Sequence, residues 1–222
     1  MAYAAVAAQR DRTHPVANQY EITTRVYDVV IALAALVFLM PLMAVIALLV
    51  MALGGRGPVI FAQERIGRDG KLFRCLKFRS MIDRADDRLA VLLNSCPESR
   101  MAWERDQKLR NDPRITPIGR LLRKTSLDEL PQFWNVLMGD MSIVGPRPIV
   151  DSERCRYGRY FGYYMMTKPG ITGLWQISGR NDVSYRRRVA MDVAFARSRS
   201  PGLYFKILFM TVPAVLLARG SS

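Results

Sequence analysis

Asp128 and Glu129 stand side by side in Ser126-Leu127-Asp128-Glu129, just ahead of Leu130-Pro131-Gln132. Adjacent carboxylates can hold a divalent cation, and one of them, if ionised, can attack phosphorus. The pattern reads as a helix start in two registers. Ser126 can be the N-cap with Glu129 reaching back, or Asp128 can be the cap, which seats Pro131 more comfortably in the first turn. Both registers put the acids where the partial positive charge of a helix N-terminus favours the carboxylate form. Taken alone, such a pair is more often a structural cap than a site.

The surrounding cations change that weighing. Arg123 precedes the acids, Lys77 and Arg79 lie in Lys77-Phe78-Arg79-Ser80-Met81, and Arg147 sits between the prolines of Gly145-Pro146-Arg147-Pro148. Stiffened or clustered cations suit a diphosphate, although exposed Lys and Arg on a solvated surface would explain any one of them. Other chemistries are excluded. The only histidine, His14, lies in an Ala-rich leader, which removes a Ser-His-Asp triad, a Cys-His dyad and a His-ligated zinc. Cys75, Cys96 and Cys155 have no metal or redox spacing and read as reduced thiols of a cytosolic environment.

The elements that must position these residues begin with an unbroken apolar run from Val29 to Leu53, about 25 residues, long enough to cross a bilayer. It exceeds a signal-peptide core and lacks a cleavage pattern, so it enters lipid. Pro41 at its middle predicts a bend. Arg10, Arg12 and Arg25 before it and Arg56, Arg65 and Arg68 after it favour two cytoplasmic ends, hence a re-entrant hairpin, with an ordinary single span as the other reading. Asp28 at its mouth reads as a structural acid, stabilised by the helix dipole or paired with Arg25.

Further along, Val59-Ile60-Phe61 and Leu72-Phe73-Arg74-Cys75-Leu76 flank the turn pair Asp69-Gly70 and predict a small β-hairpin. Helical spacing from about Met81 to Leu109 is divided by Pro97 and ended by Asp112-Pro113. Lys168 to Gln176 reads as turns around a strand, with Trp175 either at the interface or in the core. Leu203 to Leu217, broken by Lys206 and Pro213, is too short to span and lies in the interface or packs as a core helix. The expectation is a mainly α fold with a small β-hairpin (α+β), divided into a disordered leader (1–20), a membrane helix hairpin (21–54) and a catalytic domain (55–222). Against 19 Asp and Glu, 33 Lys and Arg give a net charge of +14, which calls for a polyanionic partner. Nucleic acid is disfavoured, since the basic residues are scattered and no helix-turn-helix, zinc or RNA-binding motif is present.

Four blocks carry a more specific resemblance: Lys77-Phe78-Arg79-Ser80-Met81, Leu127-Asp128-Glu129-Leu130-Pro131-Gln132, Gly139-Asp140-Met141-Ser142-Ile143-Val144-Gly145-Pro146-Arg147-Pro148, and Lys168-Pro169-Gly170-Ile171-Thr172-Gly173-Leu174-Trp175-Gln176. In this order they resemble the signature of the bacterial sugar transferases, the monotopic polyprenyl-phosphate sugar-1-phosphate transferases. The match runs from about Arg25 to Gly220 and is most similar to short-form members that start exopolysaccharide synthesis with galactose or glucose phosphate.

The resemblance implies a re-entrant helix bent at Pro41, interfacial amphipathic helices, and a site on the cytoplasmic face of the bacterial inner membrane. The family commonly has Ser or Thr before that proline; this chain has Met40. Asp128 would be the nucleophile and Glu129 a metal ligand or base, both acids would hold Mg²⁺, and Lys77, Arg79, Arg123, Arg147 and Arg180 would clamp phosphates or nucleotide. The implied substrates are a UDP-sugar and undecaprenyl phosphate, in contact with membrane lipids. A homodimer and contacts with downstream glycosyltransferases are compatible with this reading, as is an inert scaffold that keeps the family site.

Overall fold

The computed structural model describes residues 14–106, 109, 112–179 and 183–216. Helix α1 runs over His14–Leu53 with Pro41 inside it, and so begins within the expected leader, 1–20; residues 1–13 of that leader lie outside the described ones. Its stretch Tyr20–Leu53 is long and apolar enough to cross a membrane. Only its two ends dock on the rest of the chain. Thr24, Asp28 and Ala32 are buried near one end and Ile46 and Val50 near the other. Between them Val37 and Phe38 are 66% and 83% exposed, more apolar surface than water tolerates.

The predicted hairpin is present. Strands β1 (Ile60–Ile66) and β2 (Leu72–Phe78) pair antiparallel, and the turn between them places Asp69 in the left-handed region at φ 57°. The next two helices fall where Pro97 divides them, α2 at Ala85–Ser95 and α3 at Pro97–Asp106. Helix α4 (Pro117–Thr125) starts on Thr116, whose hydroxyl accepts from Gly119 N at 3.0 Å. Helix α5 is Gln132–Met138.

The strand expected within Lys168–Gln176 is β4 (Gly170–Thr172), but its parallel pairing with β3 (Ser142–Val144) was not predicted, β3 being too short to show a period in sequence. Between them come the short helices α6 (Arg154–Tyr157) and α7 (Phe161–Met165). After β4 follow α8 (Leu174–Ile177), α9 (Tyr185–Arg197) and α10 (Pro201–Leu216). The fold is mostly helical with a small antiparallel sheet, as the composition and spacing implied.

The core is shared between the soluble elements and the ends of α1. Ala32 is buried with Phe73, Val136, Met141, Phe195, Tyr204 and Ile207, while Ile46 and Val50 are buried with Phe78, Ile118 and Leu122. Helix α10 turns Tyr204 and Ile207 inward and leaves Phe209 71% exposed, so it is a core helix on one face and bare apolar on the other. Trp175 is in the core, beneath the Arg188 guanidinium at 4.5 Å.

Asp28 has a structural role, but Arg25 is not its partner. Its Oδ1 accepts from Ser142 Oγ (3.0 Å), Ile143 N (2.8 Å) and Tyr204 Oη (2.8 Å), which ties α1 to β3 and α10. Arg25 instead donates to the carbonyls of Val136 (2.5 Å) and Leu137 (2.8 Å) at the end of α5.

Candidate functional site

The acid pair sits in a tight turn between α4 and α5, and neither predicted capping register is used. Ser126 is the left-handed residue that ends α4 (φ 59°), its N–H bonded back to the α4 carbonyls, so it cannot also adopt the extended backbone of an N-cap. Leu127–Glu129 form a single 3₁₀ turn, and α5 begins only after Pro131. Leu127 and Leu130, which bracket the acids, pack on the cluster that holds Ile46 and Val50. The carboxylates are thereby fixed beside the far end of α1.

Lys77 Nζ reaches across from β2 to Glu129 Oε1 at 2.6 Å. Asn135 holds the two elements together. Buried in α5, it donates from Nδ2 to Arg74 O (2.8 Å) and accepts from Leu76 N (2.9 Å), acting as a side-chain extension of the β2 edge. Arg123 is fixed by a bond from Nε to Ser80 Oγ (2.9 Å) and lies close enough to Asp128 for its charge to act there.

The loop bearing Arg147 is anchored at four points. Gly145 N donates to Thr172 O (2.8 Å), Gly170 N to Pro146 O (2.7 Å), Arg65 Nη1 to Pro148 O (2.9 Å) and Ile66 N to Ile149 O (2.9 Å). Gly145 and Gly170 are required here, since a Cβ on Gly170 would stand 2.1 Å from Gly145 N and one on Gly145 would stand 2.3 Å from Lys168 O. Arg147 makes no hydrogen bond among the described residues, and its charge is felt at both Asp128 and Glu129.

These surroundings split the two acids. Burial, helped by the Glu129 charge, pushes the Asp128 carboxyl up to about 6 against the pull of Lys77, Arg123 and Arg147. Burial also acts on Glu129, but the Lys77 ammonium and Arg147 outweigh it and hold that carboxyl below its usual range. Cys75, on the same β2 face as Lys77, is raised by burial and stays a thiol. The result near neutral pH is a shielded, ionised pair facing unpaired positive charge.

Of the predicted residues, the structure gathers Asp128, Glu129, Lys77, Arg123 and Arg147. Arg79 is turned elsewhere: its guanidinium donates to Gly55 O at 2.7 Å where α1 ends, and a Cβ on Gly57 would meet its Nη1 at 2.3 Å. Arg180 lies outside the described residues. Sequence reasoning missed Arg65, Asn135 and Ser80. For Arg65 a signal existed: the hairpin pairs Arg65 with Phe73, Gln63 with Cys75 and Phe61 with Lys77, so one strand face carries both Arg65 and Lys77.

For a divalent cation, among the described residues no three acidic or sulfur and imidazole side chains converge. Asp128 and Glu129 are oxygen donors of the kind that, with substrate phosphates and water completing the shell, would hold Mg²⁺, although Glu129 Oε1 is already engaged by Lys77 at 2.6 Å.

The family profile "Bacterial sugar transferase" matches residues 19–218, which include every block around this site. The chain belongs to the bacterial sugar transferase family. Among relatives of this sugar transferase, a UDP-galactose-lipid carrier transferase of Erwinia amylovora is 49% identical over 197 residues, 89% of this chain and 41% of the relative. The exopolysaccharide production protein ExoY of Sinorhizobium fredii is 46% identical over 200 residues, 90% of this chain and 88% of that protein. A UDP-glucose:undecaprenyl-phosphate glucose-1-phosphate transferase of Escherichia coli K12 is 40% identical over 206 residues, 89% of this chain and 41% of the relative. The sugar transferase chain thus spans about two fifths of the Erwinia and Escherichia proteins and most of ExoY.

Proposed function

We propose that this chain transfers a hexose 1-phosphate, galactose or glucose, from a UDP-sugar to undecaprenyl phosphate, the first membrane step of an exopolysaccharide or related glycan. The observation that carries the reading is the split acid pair, enclosed by Lys77, Arg123 and Arg147 and bracketed by leucines that pack on the cluster that includes Ile46 and Val50 of α1. The names of the Erwinia and Escherichia relatives support the substrate class.

In this proposal Asp128 attacks the phosphorus that carries the sugar. A P–O bond forms to its carboxylate, the bond to the bridging oxygen breaks, and that oxygen leaves with the electron pair as UMP. A phosphate oxygen of the lipid then attacks the same phosphorus and releases Asp128. Lys77, held on Glu129, and Arg147, which makes no hydrogen bond among the described residues, stabilise the charge that builds on the transferred group. Mg²⁺ held by Asp128 and Glu129 would supply further neutralisation of the diphosphate. The acceptor phosphate lies at headgroup depth, and the leucines beside the acids pack on the cluster that includes Ile46 and Val50 of α1, which would keep the nucleophile near that depth.

For α1 the proposal is re-entry from the cytoplasmic face. Both ends of α1 dock on the rest of the chain, Ala32 in one core cluster and Ile46 in another, while Val37 and Phe38 between them are exposed, which supports re-entry over a span that would carry one end away from the soluble elements. Reporter fusions at the two termini should then both report the cytoplasm, whereas a spanning helix would place them on opposite sides.

The activity is tested by UMP release from a panel of UDP-sugars, with purified protein in detergent, undecaprenyl phosphate and Mg²⁺. Asp128→Asn should abolish release and Glu129→Gln should lower it severely. Wild-type rates from Asp128→Asn would overturn the phosphoryl-aspartate step, and no release from any donor by folded wild type would favour an inert scaffold.

A further inference from the structure

A cavity of about 370 Å³ lies beside the first turns of α1, and neither Asp128 nor Glu129 borders it. Its wall brings four cations, Arg25, Arg68, Lys168 and Arg199, against two carboxylates, Glu21 and Asp28. Both acids are already engaged. Asp28 Oδ1 takes its three hydrogen bonds from β3 and α10, and Glu21 is shared between Arg68 at 2.7 Å and Arg199 at 3.7 Å.

The cations are less well satisfied. Arg25 meets only neutral carbonyls, and Lys168 makes no hydrogen bond among the described residues. The two lie side by side, since a Cβ on Gly139 would stand 3.5 Å from Arg25 Nη2 and 3.6 Å from Lys168 Nζ. Arg68 Nε is shielded from solvent without a hydrogen-bond acceptor, with Asp69 Oδ2 at 3.6 Å. Burial, and then the Arg25 charge, pull Lys168 below the usual lysine range, and the nearby charges of Asp28 and Glu21 do not offset them.

Beyond the charges the wall continues onto Ile22 and Val26 of α1, which are 62% and 58% exposed. A ligand here meets positive charge at one end and hydrocarbon at the other. We propose that this cavity is a second anion site that takes a phosphate group presented at the membrane surface, the phosphodiester of an anionic phospholipid, with its acyl chains along Ile22 and Val26. The proposal rests on the membrane placement of α1. A free phosphate has the same oxygens but nothing to cover the apolar wall, so the two sources are separable.

The test is native mass spectrometry of the full chain released from neutral-detergent micelles containing equal amounts of phosphatidylglycerol and phosphatidylcholine. The expected result is a phosphatidylglycerol adduct that Lys168→Gln lowers roughly fivefold or more, that Lys168→Arg restores, and that Lys77→Gln at the acid pair leaves in place. Displacement of the adduct by millimolar inorganic phosphate would keep the phosphate chemistry and assign it to the free anion. Equal adducts of both lipids, or an adduct indifferent to Lys168→Gln in a variant with wild-type circular dichroism, would overturn the proposal. The readout needs no turnover, so an inert Asp128 would not disturb it; failure of the wild-type chain to sediment with membranes would overturn the membrane reading and the proposal with it, whereas a chain that sediments but shows no selective adduct would overturn the proposal alone.

Discussion

Lys77 Nζ and Glu129 Oε1 meet at 2.6 Å across the gap between β2 and the acid turn, and after burial the Lys77 charge is the largest influence on the ionisation of both acids. Lys77 lowers Asp128 as well as Glu129, so the lysine opposes the burial that would otherwise keep the nucleophile protonated.

Turnover should therefore rise with pH through an acidic limb near 6, because Asp128 must lose its proton to attack. The pair titrates in two coupled steps, the lower belonging mainly to Glu129. Lys77→Gln removes a charge that favours the carboxylate, so the limb should move to higher pH and the rate at pH 7 should fall. A pH–rate profile of kcat/KM for UMP release checks this, and an unmoved limb would mean Lys77 does not govern Asp128.

Asn135→Ala should cost about 2 kcal/mol or more of stability, since it leaves Leu76 N and Arg74 O without their side-chain partners in a buried place. Activity should fall further than the folded fraction does, because β2 carries Lys77. Denaturant titration alongside single-turnover rates on the folded fraction separates the two; equal losses would reduce Asn135 to a purely structural residue.

Gly170→Ala should displace the Arg147 loop, since the new methyl would stand 2.1 Å from Gly145 N, a backbone atom that can yield only if the loop moves. A loss of about tenfold or more in kcat/KM for the UDP-sugar is expected, with a stability cost of about 1–3 kcal/mol. An unchanged kcat/KM would show that Arg147 does not depend on this crossing.

Asp192, buried at 3% exposure and bonded to Tyr157 Oη at 2.6 Å, is pushed up to about 7 by burial, against the pull of that bond and of Arg188. In the unfolded chain it titrates near 3.8, so between those values the folded state binds the extra proton. Its contribution is fully present below about pH 4 and is lost as pH rises through 7, and stability should decline over that window. Asp192→Asn should flatten the decline, read by thermal unfolding at pH 5, 6, 7 and 8; an unchanged slope would assign it to other groups.

Several features were legible in the sequence because their causes are local. The apolar run ending at Leu53, the hairpin around Asp69-Gly70 and the division of helices at Pro97 depend on neighbours in the chain, and the structure has each of them, although α1 starts earlier, at His14, and β1 extends further, to Ile66. The acid pair was visible from residue types alone, and the four blocks placed the chain in its family. Tertiary structure decided what those residues face. Ser126 could end α4 or cap the next helix, and packing of Leu127 and Leu130 on the cluster of Ile46, Val50, Phe78, Ile118 and Leu122 goes with the first. Arg79 and Arg123 look equivalent in sequence, yet Arg79 turns to the last carbonyls of α1 while Arg123 is bonded to Ser80 beside Asp128. Asn135 joining β2, Gly170 against Gly145, and the cations gathered around Lys168 all depend on contacts between distant segments, and burial and charge at those contacts, rather than residue type, fix what each group does.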